Sequence, residues 1–240
     1  TSVYTPSAPN YTTALDFDGT SDYIDCGNDS SFNLTTGLTV STWVKLTAYQ
    51  NDKFILAKRW GSSSYQIATA GGGKSQCSVW IGSTRYDAIG STVLSADTWY
   101  NIVGTFDGSN VKVYVNSILE DTTPASGSLA TTTDIVSIAK GLNNDSYNFN
   151  GSISNVSIYN LALTASQVST LFNFGTPETA ISFSPTSWWK LDNLTTGLLD
   201  SGSASNNGTN SNPGATQTTT SVAVTPSWKI PSALTIPTIN

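Results

Sequence analysis

The chain has 240 residues, of which 10 are Lys or Arg and 16 are Asp or Glu, so its formal net charge is −6. Binding to nucleic acid or to an anionic membrane needs clustered cations, and this charge balance argues against both. The sequence has no histidine, which excludes a Ser-His-Asp triad, a Cys-His pair and a His-based zinc site.

Charged residues make up only 11% of the chain, so its surface must be kept soluble mainly by Ser, Thr, Asn and Gly. That composition indicates a secreted, surface or virion protein rather than a cytosolic enzyme. No apolar run approaches the roughly 20 residues of a membrane span, so membrane insertion is not expected.

Short segments of alternating apolar and polar residues recur along the chain, separated by turn residues. Residues 1–13 lack this periodicity and are predicted to form an extended N-terminal arm. Two strands are predicted within residues 14–27, where Leu15 and Phe17 alternate with aspartates. The later predicted strands cover residues 38–46, 54–58, 64–69, 76–81, 85–89, 99–107, 111–115, 136–139 and 151–159.

The predicted strand of residues 99–107 carries aromatic or aliphatic side chains on both faces. We expect it to be covered from both sides, as an inner strand of two packed sheets is. Many short strands at spacings of about 8 to 12 residues, without alternating long helices, predict an all-β sandwich or jelly roll.

One short helix is predicted near the end of this region. Thr164 and Gln167 fit a capping box at its start, and Gly175 and Pro177 are stop signals beyond its end. The residues of its predicted apolar face are Val168, Leu171 and Phe172.

Cys26 and Cys77 are the only thiols. They form either a disulfide, which would be worth about 4 kcal/mol in the chain-entropy model, or two buried free thiols. Both alternatives stay open because the sequence gives no distance between the two Cα atoms.

Five segments resemble, in order, the motifs of one known family. They are A-L-D-F-D-G-T-S-D-Y-I-D at 14–25, T-V-S-T-W-V-K at 39–45, W-Y-N-I-V-G-T-F-D-G at 99–108, V-K-V-Y-V-N at 111–116 and F-N-G-S-I-S-N-V-S-I-Y-N-L-A-L-T at 149–164. The chain is thus similar to the laminin-G-like, concanavalin A-like lectin/glucanase family. The resemblance implies a concanavalin A-like jelly-roll β-sandwich, assigned to residues 14–176. The Ser/Thr/Asn-rich composition of the chain is similar to that of repeats in virion proteins of marine phages.

Residues 177–240 are interpreted as a C-terminal extension. Its segment S-W-W-K-L-D-N at 187–193 resembles the leading segment of a second copy of the family, but no second A-L-D-F-D-G follows. The extension is a truncated repeat, a segment that folds back to supply a missing strand, or one that donates a strand to a neighbouring subunit. Trp188, Trp189 and Leu191 are the predicted assembly residues, because they are too apolar to remain in water.

The resemblance also implies a calcium site, since hard cations take several oxygen ligands. Family members often use the aspartate at the position of Asp18 with an acidic residue in a G-x-I-D/E segment. Here Asn155 stands in that segment, so the expected ligands are Asp18, Asp22 and Asn155, with weaker affinity because one charge is missing. Alternatively, the two aspartates only cap the turn after Asp18.

A carbohydrate-binding face is a further expectation, because related folds carry aromatic side chains that stack on sugars. In strand 76–81, Cys77 and Val79 share one face, which places Trp80 on the other. Alternatively, the aromatic candidates pack under loops or between the sheets. The candidate residues are Trp60, Tyr65, Trp80, Arg85 and Tyr86, with Arg59 nearby.

Glycoside hydrolysis needs two carboxylates beside one bond, yet Glu occurs only at positions 120 and 178. The E-x-D-x-x-E pattern of related hydrolases is also missing, so no catalytic residue is expected. The predicted function is a non-enzymatic structural or adhesive module on a virion or cell surface, assembling with other subunits. The alternative is a calcium-assisted, lectin-like adhesin that binds a cell-surface glycan.

Overall fold

The computed structural model describes residues 13–59, 62–141, 144–173, 182–211 and 215–218. Apart from Thr13, the predicted N-terminal arm lies outside these ranges. The strands are β1 (Ala14–Asp18), β2 (Tyr23–Asp25), β3 (Leu38–Leu46), β4 (Phe54–Lys58), β5 (Tyr65–Ala70), β6 (Lys74–Ile81), β7 (Thr84–Val93), β8 (Trp99–Phe106), β9 (Asn110–Val115), β10 (Ile118–Pro124), β11 (Ser137–Ile138), β12 (Asn150–Tyr159), β13 (Ser187–Trp189), β14 (Thr209–Ser211) and β15 (Thr216–Thr218). The α-helix is α1 (Ala165–Phe172), and short 3₁₀ helices lie at Ser30–Phe32, Asp145–Tyr147 and Thr196–Leu198.

These strands form two antiparallel sheets packed face to face, which confirms the predicted all-β jelly-roll sandwich. The eight-stranded sheet has the order β10-β9-β8-β3-β12-β1-β15, with β13 also paired to β12. The seven-stranded sheet has the order β14-β2-β11-β4-β5-β6-β7. Each strand turns every second side chain inward. The core between the sheets includes Val44, Ile67, Val79, Ile102 and Ile153, all with 0% exposure.

Strand β8 is buried along its whole length, as its composition predicts. On its inner face, Ile102 and Phe106 join the core between the sheets. On its outer face, Val103 packs in a second cluster with Val168 and Leu171 of α1. The helix, rather than another sheet, therefore covers the outer side of this strand.

Helix α1 begins at the predicted capping box, in which Thr164 and Gln167 exchange side-chain and backbone hydrogen bonds. It ends at Asn173, whose φ of 45° is left-handed. Phe172 stacks on Trp43 of β3 with ring centroids 5.9 Å apart and an interplanar angle of 11°. Within the described ranges, no helix is long and apolar enough to cross a membrane. This α-helix covers the eight-stranded sheet, on the outer side of β8 and β3.

The C-terminal segment folds back onto the same chain and joins both sheets. Strand β13 pairs with β12, β14 pairs with β2, and β15 pairs with β1. Of the three interpretations of the extension, the structure therefore agrees with the one in which the segment folds back and completes the sandwich of its own chain.

The predicted assembly residues are packed inside this chain. Trp189 and Leu191 have 0% exposure and belong to the core between the sheets. Trp189 Nε1 donates a hydrogen bond to the backbone oxygen of Asn206 at 2.8 Å, and Trp188 Nε1 donates to Asn155 Oδ1. Their apolar surface is already covered, so the prediction that they contact another subunit is wrong.

Cys26 and Cys77 are free thiols buried in the core, which decides between the two alternatives left by the sequence. Burial raises the pKa of the Cys77 thiol to about 12 and raises the pKa of Cys26 well above its ordinary value. Both therefore stay protonated near neutral pH and act as small apolar side chains.

Candidate functional site

The outer face of β4–β7 carries polar, aromatic and cationic side chains. In β6, Cys77 and Val79 point into the core, which turns Trp80 outward as predicted. Cross-strand partners share a face, so Arg85 of β7, the register partner of Trp80, also points outward. By the same rule, the other outward residues of these strands include Gln66, Ala68, Gln76, Ser78 and Asp87.

A pocket of about 210 Å³, which we call the outer-face pocket, lies on this face. The rings of Phe54 and Tyr147 form its aromatic part, with centroids 5.6 Å apart and an interplanar angle of 56°. Tyr147 comes from the 3₁₀ helix that precedes β12. The polar and charged residues of the lining are Asp52, Arg59, Gln66, Thr69, Gln76 and Arg85.

Two guanidinium groups lie over the ring of Trp80. The Cζ atom of Arg59 is 5.0 Å from the ring centroid, and that of Arg85 is 5.4 Å from it. Arg59 also lies 5.5 Å from the centroid of the Phe54 ring. Trp80 is only 8% exposed, so the expectation that its ring is exposed for stacking on a sugar is wrong. Its position instead lets it hold both arginines by cation–π contacts.

Hydrogen bonds join these arginines to the polar side chains around them. Arg59 Nη1 donates to Gln66 Oε1 at 3.3 Å. Gln66 Nε2 and Arg85 Nη2 both donate to Ser78 Oγ at 3.2 Å. Arg85 Nε donates to Asp87 Oδ1 at 2.6 Å, which makes an ion pair. The network fixes the orientation of both guanidinium groups.

One polar group of the pocket lining, Arg59 Nε, is buried without a hydrogen-bond partner in the described part of the chain. Buried polar groups are paired in most native proteins. This unpaired donor is therefore a group that a ligand would satisfy. The side chain of Gln76 also lines the pocket, and the residue is only 5% exposed.

Two of the predicted binding residues lie on the wrong side of the sheet, and a third is not described. Tyr65 has 0% exposure, its hydroxyl donates to the backbone oxygen of Phe32 at 3.3 Å, and burial raises its pKa. Tyr86 is the register partner of Val79 and packs against the core. Neither Tyr65 nor Tyr86 can contact a ligand in the outer-face pocket. Trp60 lies outside the described residues.

Seven residues of the pocket lining were not predicted: Asp52, Phe54, Gln66, Ala68, Thr69, Gln76 and Tyr147. Gln66 stands between Tyr65 and Ile67, and Gln76 precedes Cys77, in strands whose other face is core. This alternation marks both glutamines as outward-facing polar positions. Tyr147 has no such local signal, because it reaches the pocket from a turn far along the chain.

Asp18 and Asp22 close the turn between β1 and β2. Asp18 Oδ1 accepts hydrogen bonds from the backbone nitrogens of Thr20, Ser21 and Asp22 at 2.8, 3.0 and 3.3 Å. In return, Asp22 Oδ2 accepts one from the backbone nitrogen of Asp18 at 3.0 Å. These contacts are the turn-capping alternative to calcium binding.

The three expected calcium ligands do not come together. The register partner of Asp18 on β12 is Asn150, and Asn155 lies five residues further on, roughly 16 Å along the strand. There Asn155 Oδ1 accepts the hydrogen bond of Trp188, so its assignment as a ligand beside Asp18 is wrong. Of the expected ligands' carboxylate oxygens, only Asp22 Oδ1 is left unpaired in the described residues. No group of three or more His, Cys, Asp or Glu side chains in those residues is placed to hold a metal ion.

Acidification is expected to weaken the fold through Asp18. Burial alone would raise the pKa of Asp18, but its hydrogen bonds outweigh burial and lower the pKa from 3.8 to about 2. Such a carboxylate stabilises the fold above about pH 4, and this contribution is lost as the pH falls to about 2. Melting temperatures of the Asp18→Asn variant should therefore fall less over this interval than those of the unaltered chain. Equal decreases in both proteins would contradict this assignment. The pKa of Asp22 is raised by burial, so Asp22 acts in the opposite direction in both proteins.

Solved structures with the same fold match this chain at low sequence identity. A Bacteroides ovatus protein, described provisionally as carbohydrate binding, is 20% identical with a TM-score of 0.67, and the match covers 89% of this chain and 61% of that one. Domain 4 of AbnA, a GH43 extracellular arabinanase from Geobacillus stearothermophilus solved in complex with arabinotriose, is 21% identical with a TM-score of 0.55 over 69% and 79% of the two chains. A heptameric SAP-like pentraxin from Limulus polyphemus is 12% identical with a TM-score of 0.58 over 90% and 99%. The chain thus spans about three fifths of the Bacteroides protein.

No curated protein sequence matches the chain significantly. The pattern of the concanavalin A-like lectin/glucanases superfamily matches residues 18–169, which is more than half of the chain. This range begins at the end of β1, ends within α1 and contains every residue of the outer-face pocket. The chain belongs to the concanavalin A-like lectin/glucanases superfamily.

Proposed function

We propose that this chain is a non-enzymatic carbohydrate-binding module and that the outer-face pocket is its binding site. The pocket itself carries the proposal, because it joins two aromatic rings, the side-chain amides of Gln66 and Gln76 and two guanidinium groups, one with an unpaired Nε, on one sheet face. Sugars present apolar ring faces and many hydroxyl groups, and they are bound by aromatic side chains with a few fixed polar groups.

Membership of the superfamily and two structural neighbours support this assignment. The Bacteroides protein is described provisionally as carbohydrate binding, and the arabinanase domain was solved with arabinotriose. At 20% and 21% identity these likenesses concern the fold. The chemistry of the pocket in this chain must therefore carry the function.

The size of the pocket limits how much of a glycan it holds. Pockets for drug-sized ligands measure about 300 to 1,000 Å³. The outer-face pocket, at about 210 Å³, is smaller. We expect one sugar unit to enter the pocket while the rest of the glycan lies along the sheet surface.

The carboxylates of the described residues favour binding over hydrolysis. Glu120 accepts hydrogen bonds from the backbone nitrogens of Ser91 and Thr92 at 2.9 and 3.0 Å, which gives it a role in joining β10 to β7. Glu178 lies outside the described residues. Asp52 is the one carboxylate in the described lining of the pocket, whereas hydrolysis uses a pair.

We further propose that the module acts outside the cell or on a surface, which agrees with its polar, weakly charged composition. A place on a virion and assembly with other subunits are narrower predictions. Neither rests any longer on Trp188 and Trp189, because both are buried in their own chain.

Two pocket variants test the proposed site. Affinity electrophoresis against a panel of soluble polysaccharides is expected to find at least one that retards the chain. Gln76→Ala removes a side-chain amide of the pocket lining, and Tyr147→Ala removes the half-buried ring of the aromatic pair. Each should weaken binding of the retarding polysaccharide about tenfold, the effect of losing about 1.4 kcal/mol.

A matched control is Tyr49→Ala, which removes a tyrosine that is 58% exposed and outside the pocket lining. It should bind as the unaltered chain does. If Gln76→Ala and Tyr147→Ala both bind the polysaccharide as tightly as the unaltered chain does, the binding site lies elsewhere. If no polysaccharide retards the unaltered chain, the proposed function is wrong. Repeating the assay with calcium and with a chelator tests the calcium dependence that the resemblance implies.

A further inference from the structure

The only two arginines of the 240-residue chain are both in the outer-face pocket. They come from different strands, Arg59 just after β4 and Arg85 on β7, and the ring of Trp80 holds both. Arg binds carboxylate and sulfate-like groups in a planar, two-pronged geometry that Lys cannot reproduce. The other cations of the chain are lysines, so the use of arginine is confined to this pocket.

Arg59 makes no ion pair with a carboxylate in the described part of the chain. Its one side-chain hydrogen bond there goes to the neutral Gln66, and its Nε is buried without a partner. None of the ion pairs among the described residues includes it, whereas Arg85 is paired with Asp87. Asp52 also lines the pocket.

The neighbouring charges make this arrangement costly without a ligand. Burial, and then the positive charge of Arg85, lower the pKa of Arg59, and the opposite effects of Tyr147 and Asp87 do not outweigh them. A partly buried cation beside another cation is destabilising unless a counter-charge is present. A bound anion would supply that counter-charge and would also accept hydrogen bonds from the unused guanidinium N–H groups.

We propose that the outer-face pocket binds an acidic sugar, whose carboxylate or sulfate group is held by Arg59 and Arg85. This inference rests on the proposed carbohydrate-binding function and names the class of glycan. The aromatic rings and the Gln76 amide contact the sugar, and the arginines select its charged group. Because the net charge of the chain is −6, the chain as a whole repels an anionic glycan, and only the two arginines attract its charged group at short range. This attraction should weaken as salt is added.

Matched pairs of polysaccharides that differ only in charge test the inference. Polygalacturonate is compared with its methyl ester, and dextran sulfate is compared with dextran, which separates carboxylate from sulfate recognition. At least one acidic member should bind about tenfold or more tightly than its neutral partner. In Arg59→Gln this ratio should fall to about one, and in Arg59→Lys it should fall by several-fold because the planar fork is lost.

Lys112→Gln is the matched control, because Lys112 lies on the eight-stranded sheet, paired with Asp107 at 3.2 Å. It removes the same charge and should leave the ratio unchanged. Poly-L-glutamate, an anion without sugar, should not bind. Neutral and acidic members bound equally would overturn the inference while leaving the carbohydrate-binding function intact. A preference that survives Arg59→Gln, or equal binding of poly-L-glutamate, would also overturn it. Binding of no polysaccharide at all would overturn both.

Discussion

A chain that ends at Asn173 is expected not to fold. It would lack β13, β14 and β15, which pair with β12, β2 and β1. It would also lose the three large core side chains of this segment, those of Trp189, Leu191 and Leu198. Replacing one such side chain by alanine costs about 2–5 kcal/mol. The loss of three is comparable with the about 5–15 kcal/mol that stabilises a whole domain.

Circular dichroism and light scattering of the full and shortened chains measure this effect. The full chain should unfold cooperatively, and the shortened chain should show no unfolding transition. A shortened chain that folds as a monomer while the full chain assembles would contradict the account. The C-terminal segment would then be an assembly arm.

Point substitutions of two adjacent leucines test the packing of the C-terminal segment without deleting it. Leu198 is 6% exposed and lies in the core, whereas Leu199 is 48% exposed. Leu198→Ala should lower the free energy of unfolding by about 2–4 kcal/mol. Leu199→Ala should change it by no more than about 0.5 kcal/mol. Equal effects in denaturant titrations would mean that the segment does not pack as described.

Gly151→Ala is expected to cost about 3 kcal/mol or more of the free energy of unfolding. Gly151 lies in β12 with a φ of 145°, a conformation that residues with a side chain rarely adopt. A Cβ atom at this position would come within 2.2 Å of the backbone oxygen of Lys45 in β3. Because that oxygen belongs to a paired strand, it cannot move aside without breaking the pairing of β12 with β3.

Gly71→Ala is the control for this substitution. Gly71 lies in the turn between β5 and β6, and a Cβ atom there would meet nothing within 4 Å. Its alanine variant should differ from the unaltered chain by no more than about 0.5 kcal/mol. Urea titrations that give similar midpoints for the two variants would contradict the close approach of β12 and β3.

The strands that could be predicted from the sequence are those whose own apolar residues indicate that they are buried. Strands β3 and β4 have the bounds that their apolar residues indicate. Strand β10 was not predicted, because it is an exposed edge strand with acidic residues in its middle. Asp121 Oδ2 accepts a hydrogen bond from the backbone nitrogen of Ile89 at 2.8 Å, so β10 is fixed partly by polar contacts. Strands β14 and β15 are short and polar, and their places depend on the strands they pair with.

In the candidate site, too, local sequence patterns predicted some features, whereas contacts between distant parts of the chain determined the others. Alternation along β6 correctly placed Trp80 on the outer face, but alternation says nothing about what covers a side chain. Arg59 and Arg85 cover Trp80 because the sheet brings the end of β4 and the start of β7 to it. The contribution of Tyr147 depends on a turn that precedes β12, and no local pattern reports such a distant contact. The expected position of Asn155 beside Asp18 was wrong, because Asn155 lies at a bulge further along β12, where its Oδ1 accepts the hydrogen bond of Trp188.

Nuclear magnetic resonance of the arginine side chains tests the central claim most directly. Because the chain has only two arginines, their Nε–H signals can be assigned with the single variant Arg59→Lys. During titration with neutral and acidic oligosaccharides, at least one sugar should shift both signals and the Gln76 amide signals saturably, while signals of α1 stay in place. If no oligosaccharide shifts these signals, or if the shifts gather on the helix-covered face, the outer-face pocket is not a carbohydrate-binding site.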